Sequence, residues 1–217
     1  MFRDTASLLL AFSCLAAAQT HPSGPLSVFL SNAEAASPAV TASMRAELQE
    51  LLASSGLHLH WHDGSGSVMG RMAVIRLQGA CRNNAPNPLR AHQVSLDPEA
   101  LGSTHVSNGE VLPFADIRCD HIRRFVAIPL SSAGTVETRD EMLGRAVARV
   151  IAHEIYHIVL RTTGHGKKGL ARATQSAAQL VSARLNFAQE DERRLSAEAS
   201  ASPVAADDDL STDRRND

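Results

Sequence analysis

Residues 142–160 read Met-Leu-Gly-Arg-Ala-Val-Ala-Arg-Val-Ile-Ala-His-Glu-Ile-Tyr-His-Ile-Val-Leu, and no other stretch constrains the fold as strongly. Met142, Leu143, Ala146, Val147, Val150, Ile151 and Ile155 cover so much of a helix's circumference that the helix must be buried on most sides. It therefore needs a sheet or other helices around it. Thr138 and Glu141 form a capping box at its start. Two histidines and a glutamate near its end are costly to bury without a purpose.

Residues four apart lie one turn above each other, so His153 and His157 can present two imidazoles to one Zn²⁺, with Glu154 beside them. A zinc ion lowers the pKa of a bound water and polarises a carbonyl, and Glu154 would take the proton and pass it to a leaving amine. A catalytic zinc needs a third protein ligand. The only histidine beyond His157 is His165, flanked by Gly164 and Gly166, where the chain can turn back beneath the helix. A carboxylate is the competing third ligand, and the first acidic residue after His157 is Glu190. Tyr156, the only tyrosine, points away from the face shared by the two histidines and is expected to pack. Lys167, Lys168 and Arg172 are read as solvated charge that could also meet an acidic substrate.

On His153, Glu154 and His157 the chain resembles the zincin metalloproteases, and among them the metzincins. Relative to that pattern His165 lies two residues later than the third histidine, Leu160 replaces a glycine, and no methionine follows Met142. Gly169-Leu170-Ala171 is then the expected geometric replacement of the family's methionine turn. The resemblance implies an α+β, zincin-like fold over roughly residues 26 to 190. It consists of a twisted mixed sheet with one antiparallel edge strand, a backing helix, a central HExxH helix and a smaller C-terminal part. It also implies a zinc-dependent endopeptidase with Zn²⁺ as cofactor and a peptide or protein substrate. A noncatalytic zinc-binding protein on the same scaffold is the alternative, kept open by the displaced histidine and the missing methionine.

The remaining elements are read from periodicity. Pro25 to Leu30 is a strand. Ser37-Pro38 starts a helix with a buried stripe of Val40, Met44, Leu48, Leu51 and Leu52 that ends near Gly56. Leu57, Leu59 and Trp61 alternate with His58, His60 and His62 in a half-buried strand, so those three histidines are an outward row rather than a metal site. Met72 to Leu77 is a strand and Asn83 to Pro88 a loop. Gln93 to Ile117 holds short edge strands, among which Gly109 to Phe114 is a candidate edge for an extended peptide. Phe125 to Leu130 reads as a strand, and Thr174 to Gln189 as a helix.

Arg3, the apolar stretch Leu8 to Ala18 and the closing Ala16-Ala17-Ala18 read as a signal peptide over 1–18, which implies a secreted or periplasmic protein. A domain over 19–190 and a disordered tail over 191–217 complete the organisation. Loss of Cys14 leaves Cys81 and Cys119, which an oxidising compartment pairs in one disulfide. The chain has 217 residues, 44% hydrophobic and 20% charged, so it can bury a core as one domain. A net charge of −2 and 4% aromatics argue against nucleic-acid binding. The N-terminal apolar run is too short for a stable membrane span.

Overall fold

The computed structural model describes residues 25–62, 70–83 and 100–201. The expected signal peptide, most of the Asn83 to Pro88 loop and the end of the expected tail lie outside the described residues. Five strands form one sheet in the order β2-β1-β3-β5-β4: β1 Leu26–Ser31, β2 Leu59–His62, β3 Met72–Gln78, β4 Gly102–Ser107 and β5 Glu110–Arg118. β1 runs parallel to β2 and β3, β3 runs parallel to β5, and β4 runs antiparallel to β5 at the sheet's edge. The result is a mixed α+β fold.

Ser37 caps α1, Pro38–Ala53, by accepting from Val40 N at 3.3 Å, with Pro38 at the first helical position. Its buried residues are the five read from the sequence. They pack, with α4 (Val136–Leu160), over one face of the sheet, where Val28, Ile75 and Ile117 meet Met44, Leu48, Val147 and Ile151 in the core. The two helices approach closely at Gly144, where a Cβ would stand 2.7 Å from Val40 O. Fifteen residues of α4 are buried. Cys81 and Cys119 are joined in a disulfide that ties the segment after β3 to the segment after β5.

Several expected elements differ. α4 is capped one turn earlier than expected, by Thr135, whose hydroxyl accepts from Thr138 N at 3.1 Å. Phe125 to Leu130 is not a strand: it falls in α2, Cys119–Phe125, and α3, Ala127–Ser131. A short apolar run does not distinguish strand from helix, and here Ile122, Val126 and Leu130 are buried at a spacing of four while Ile128 is exposed. The helix expected from Thr174 to Gln189 is one short turn, α5 Ala177–Val181, with a capping box between Ser176 and Gln179. It stops at Ser182 because the guanidinium of Arg149 takes the carbonyls of Gln179, Leu180 and Ser182. Residues 191–200, expected to be tail, form most of α6, Gln189–Ser200, which buries Asp191, Leu195 and Ala199. Leu195 and Ala199 lie four apart on one face, a stripe too narrow to show through the surrounding charges.

The run Gly109 to Phe114 is not the open edge. Asn108 and Gly109, at φ 52° and 83°, make the turn of the β4–β5 hairpin, and the following residues pair with β4. Among the described residues the edge strand on that side of the sheet is β4.

Candidate metal centre

α4 carries His153, Glu154 and His157 to the end of the sheet where β4 crosses above it, and the chain then reverses. Arg161 adopts a left-handed conformation, φ 47°, and Thr162 N donates to His157 O at 3.1 Å, closing the helix. The reversal falls one residue after Leu160, the position where the resemblance expected glycine. It brings His165 back beneath the helix, so that donor atoms of His153, His157 and His165 all lie within 4.8 Å of one another.

The rings of the helical pair are held from behind. His153 Nδ1 donates to Leu170 O at 2.9 Å, and His157 Nδ1 donates to Thr162 O at 2.7 Å. That tautomer leaves both Nε2 atoms as acceptors, and they face each other 3.1 Å apart. Two lone pairs at this distance repel unless a cation lies between them. Two Zn–N bonds of ~2.0–2.1 Å at a tetrahedral angle would separate the nitrogens by about 3.3 Å, so the spacing suits one tetrahedral ion. Burial lowers the pKa of both imidazoles, which favours the neutral, ligating form. His165 is exposed and lies across the open side of the pair, its ring centroid 5.2 Å from that of His153 and 4.8 Å from that of His157. The residues present fit a metal ion with three protein ligands and an open position.

Glu154 is 5% exposed. Thr104 of β4 donates its hydroxyl to Glu154 Oε2 at 2.7 Å. Burial raises the carboxyl's pKa, and the Thr104 hydrogen bond opposes that rise. Gly102 is required beneath it, because a Cβ there would come 2.7 Å from Glu154 Oε1. A cavity of about 350 Å³ opens beside the histidines, between β4 and the 170–180 segment, with Leu101, Val150, Leu170 and Leu180 in its wall. Arg172 lines it, whereas Lys167 and Lys168 do not.

Of the residues singled out in the sequence, His153, His157 and His165 come together, with Glu154 at the same cavity. Glu190 is exposed on α6 and outside the cluster, so the carboxylate alternative for the third ligand fails. His58, His60 and His62 sit in or beside β2, at the opposite edge of the sheet from β4. The Gly169-Leu170-Ala171 segment supports the site, since Leu170 O holds His153 and both Leu170 and Ala171 are buried. Thr104, Gly102 and Arg149 escaped sequence reasoning. Arg149 carried a signal, a lone charge inside an apolar helix, but Thr104 carried none, because its role depends on the β4 register. Comparison with family models and with curated proteins finds no match to this chain.

Proposed function

We propose that the protein is a zinc-dependent endopeptidase of the exported compartment, built on a zincin-like scaffold, with His153, His157 and His165 as ligands and Glu154 as general base. The observation that carries the catalytic half is the placement of Glu154: a buried carboxyl, at the cavity beside the three histidines, with one oxygen held by Thr104. The mostly parallel sheet with an antiparallel edge strand above the motif helix supports the scaffold reading. Zinc, when bound, supplies Lewis acidity to a carbonyl and acidifies water. Thr104 holds the Glu154 carboxyl through Oε2, and that carboxyl takes the proton from the attacking water and returns it to the leaving amine. Among the described residues β4 pairs only with β5, and its outer edge is one along which an extended peptide can lie. The Cys81–Cys119 disulfide supports export, because such bonds persist in oxidising compartments. Among the described residues no helix is long and apolar enough to cross a membrane.

The second reading is a noncatalytic zinc-binding protein on the same scaffold. The histidine cluster supports it directly, and of the two readings it asks less of the structure. Zinc removal distinguishes them. Purified protein is expected to carry close to one zinc per chain and to cleave a broad peptide library, to lose cleavage on chelation and to regain it on zinc addition. Stoichiometric zinc without any cleavage establishes the noncatalytic reading, and protein that takes up no zinc removes both.

A further inference from the structure

Tyr156 and Asp191 are buried polar residues that the proposed chemistry does not use. The Tyr156 hydroxyl donates to Asp191 Oδ1 at 3.2 Å and accepts from Arg194 Nη1 at 2.9 Å, while Phe187 stacks on the ring with centroids 5.9 Å apart. Asp191 stands in the first turn of α6 and Arg194 one turn further on, 3.8 Å from Asp191 Oδ1, so two hydrogen bonds at the Tyr156 hydroxyl tie the motif helix to the C-terminal helix. A carboxylate that is 4% exposed needs partners for its oxygens, and one of these is supplied from within the HExxH sequence itself.

The other oxygen, Oδ2, packs against the backbone of Gly166, where a Cβ would come 2.5 Å from it and 2.8 Å from Ala171 Cβ. Gly166 directly follows His165, and its N–H donates to Ala171 O at 2.8 Å. The His153 and His157 rings are each fixed by an Nδ1 hydrogen bond, whereas among the described residues no hydrogen bond holds the His165 ring. The orientation of the third histidine therefore depends on where its backbone is held. The Asp191 carboxylate is one of the surfaces it is held against.

We infer that Asp191, anchored by Tyr156, is a positioning residue for His165, so that the C-terminal helix tunes the affinity and geometry of the metal centre. The inference rests on the metal-binding reading above and is independent of catalysis. Partners that orient a ligand from behind typically contribute ~10–100-fold in metal affinity.

Zinc dissociation constants, measured by chelator competition for the parent, Asp191→Ala, His165→Ala and the double variant, test it, together with the visible spectrum of each cobalt(II) form. Asp191→Ala is expected to weaken zinc binding by about 10–100-fold and to alter the cobalt spectrum. In the His165→Ala background the same substitution adds little further loss, because no ligand remains to be positioned. A purely structural role would cost the same factor in both backgrounds. Should Asp191→Ala fail to fold, Tyr156→Phe replaces it in the cycle, keeping the ring on Phe187 and removing only the hydroxyl; the same non-additive pattern is expected. Parental zinc affinity in the variant, or equal losses in both backgrounds, overturns the inference while leaving the metal centre intact. A parent that takes up no zinc overturns the metal-binding reading, and this inference with it.

Discussion

Thr104 and Glu154 are fifty residues apart in the chain and 2.7 Å apart in space, joined by a hydrogen bond from the edge strand to the carboxylate of the motif helix. The bond fixes the orientation of the carboxyl from the edge strand. It also couples the strand proposed to receive a peptide to the group proposed to handle its protons.

Removing that hydroxyl should cost function more than fold. Thr104→Val keeps the β-branched shape a strand favours, so zinc content and thermal stability are expected to stay near those of the parent. Peptide hydrolysis should fall about tenfold, the equivalent of ~1.4 kcal/mol and within the worth of one hydrogen bond to a charged group. Unchanged kcat/KM with Thr104→Val would show that the hydroxyl does not orient Glu154.

Arg149 holds three parts of the molecule together. Its side chain is 1% exposed and pairs with Glu47 of α1 at 2.8 Å, while Nη1 donates to three carbonyls at the end of α5. Removing the guanidinium leaves the α5 carbonyls without their donor, at a cost of about 1–3 kcal/mol, while Glu47 keeps Arg145 at 3.5 Å. Arg149→Met should lower the urea midpoint accordingly. Arg149→Lys should restore little of it, since an ammonium cannot reproduce the planar fork. A midpoint within experimental error of the parent would contradict this role.

On the sheet face opposite α1 and α4, Arg76 of β3 donates to both oxygens of Asp116 on β5 at 2.7 and 2.8 Å. Chiefly through that hydrogen bond, the Asp116 carboxyl is held below its ordinary value. A depressed carboxylate pKa stabilises the fold above the unfolded value of about 3.9, and the contribution is lost as pH falls through the folded value. Arg76→Ala should therefore be less stable than the parent at neutral pH, and the difference should close on acidification. Urea midpoints at about pH 7 and about pH 3 would reveal this, and a difference that widened in acid would contradict the sign.

The strands, the α1 stripe and the histidine trio were legible because each is written in a local period or spacing: alternation in Leu59 and Trp61, fours and threes in α1, and the interval between His153 and His157. Elements set by tertiary partners were not. The Phe125 to Leu130 run is apolar enough for either structure, and only the burial of Ile122, Val126 and Leu130 together selects helix. α5 ends where Arg149, thirty residues before Gln179, supplies donors to its last carbonyls. α6 reads as solvated charge until Tyr156 offers Asp191 a partner. The same limit hid Thr104, whose contribution exists only because β4 is the antiparallel edge and lies over the motif helix.

The central claim is that Glu154 moves the proton in a zinc-dependent cleavage of a peptide bond. Its most direct test is kcat/KM on a broad peptide library for zinc-loaded parent and zinc-loaded Glu154→Gln, a substitution that keeps the side chain's shape and removes its basicity. The account predicts equal zinc content and a fall in hydrolysis of ~10²–10⁴-fold. Equal hydrolysis by the two proteins would remove Glu154 from the mechanism, and a folded, zinc-loaded parent that cleaves nothing in the library would contradict the claim in favour of the noncatalytic reading.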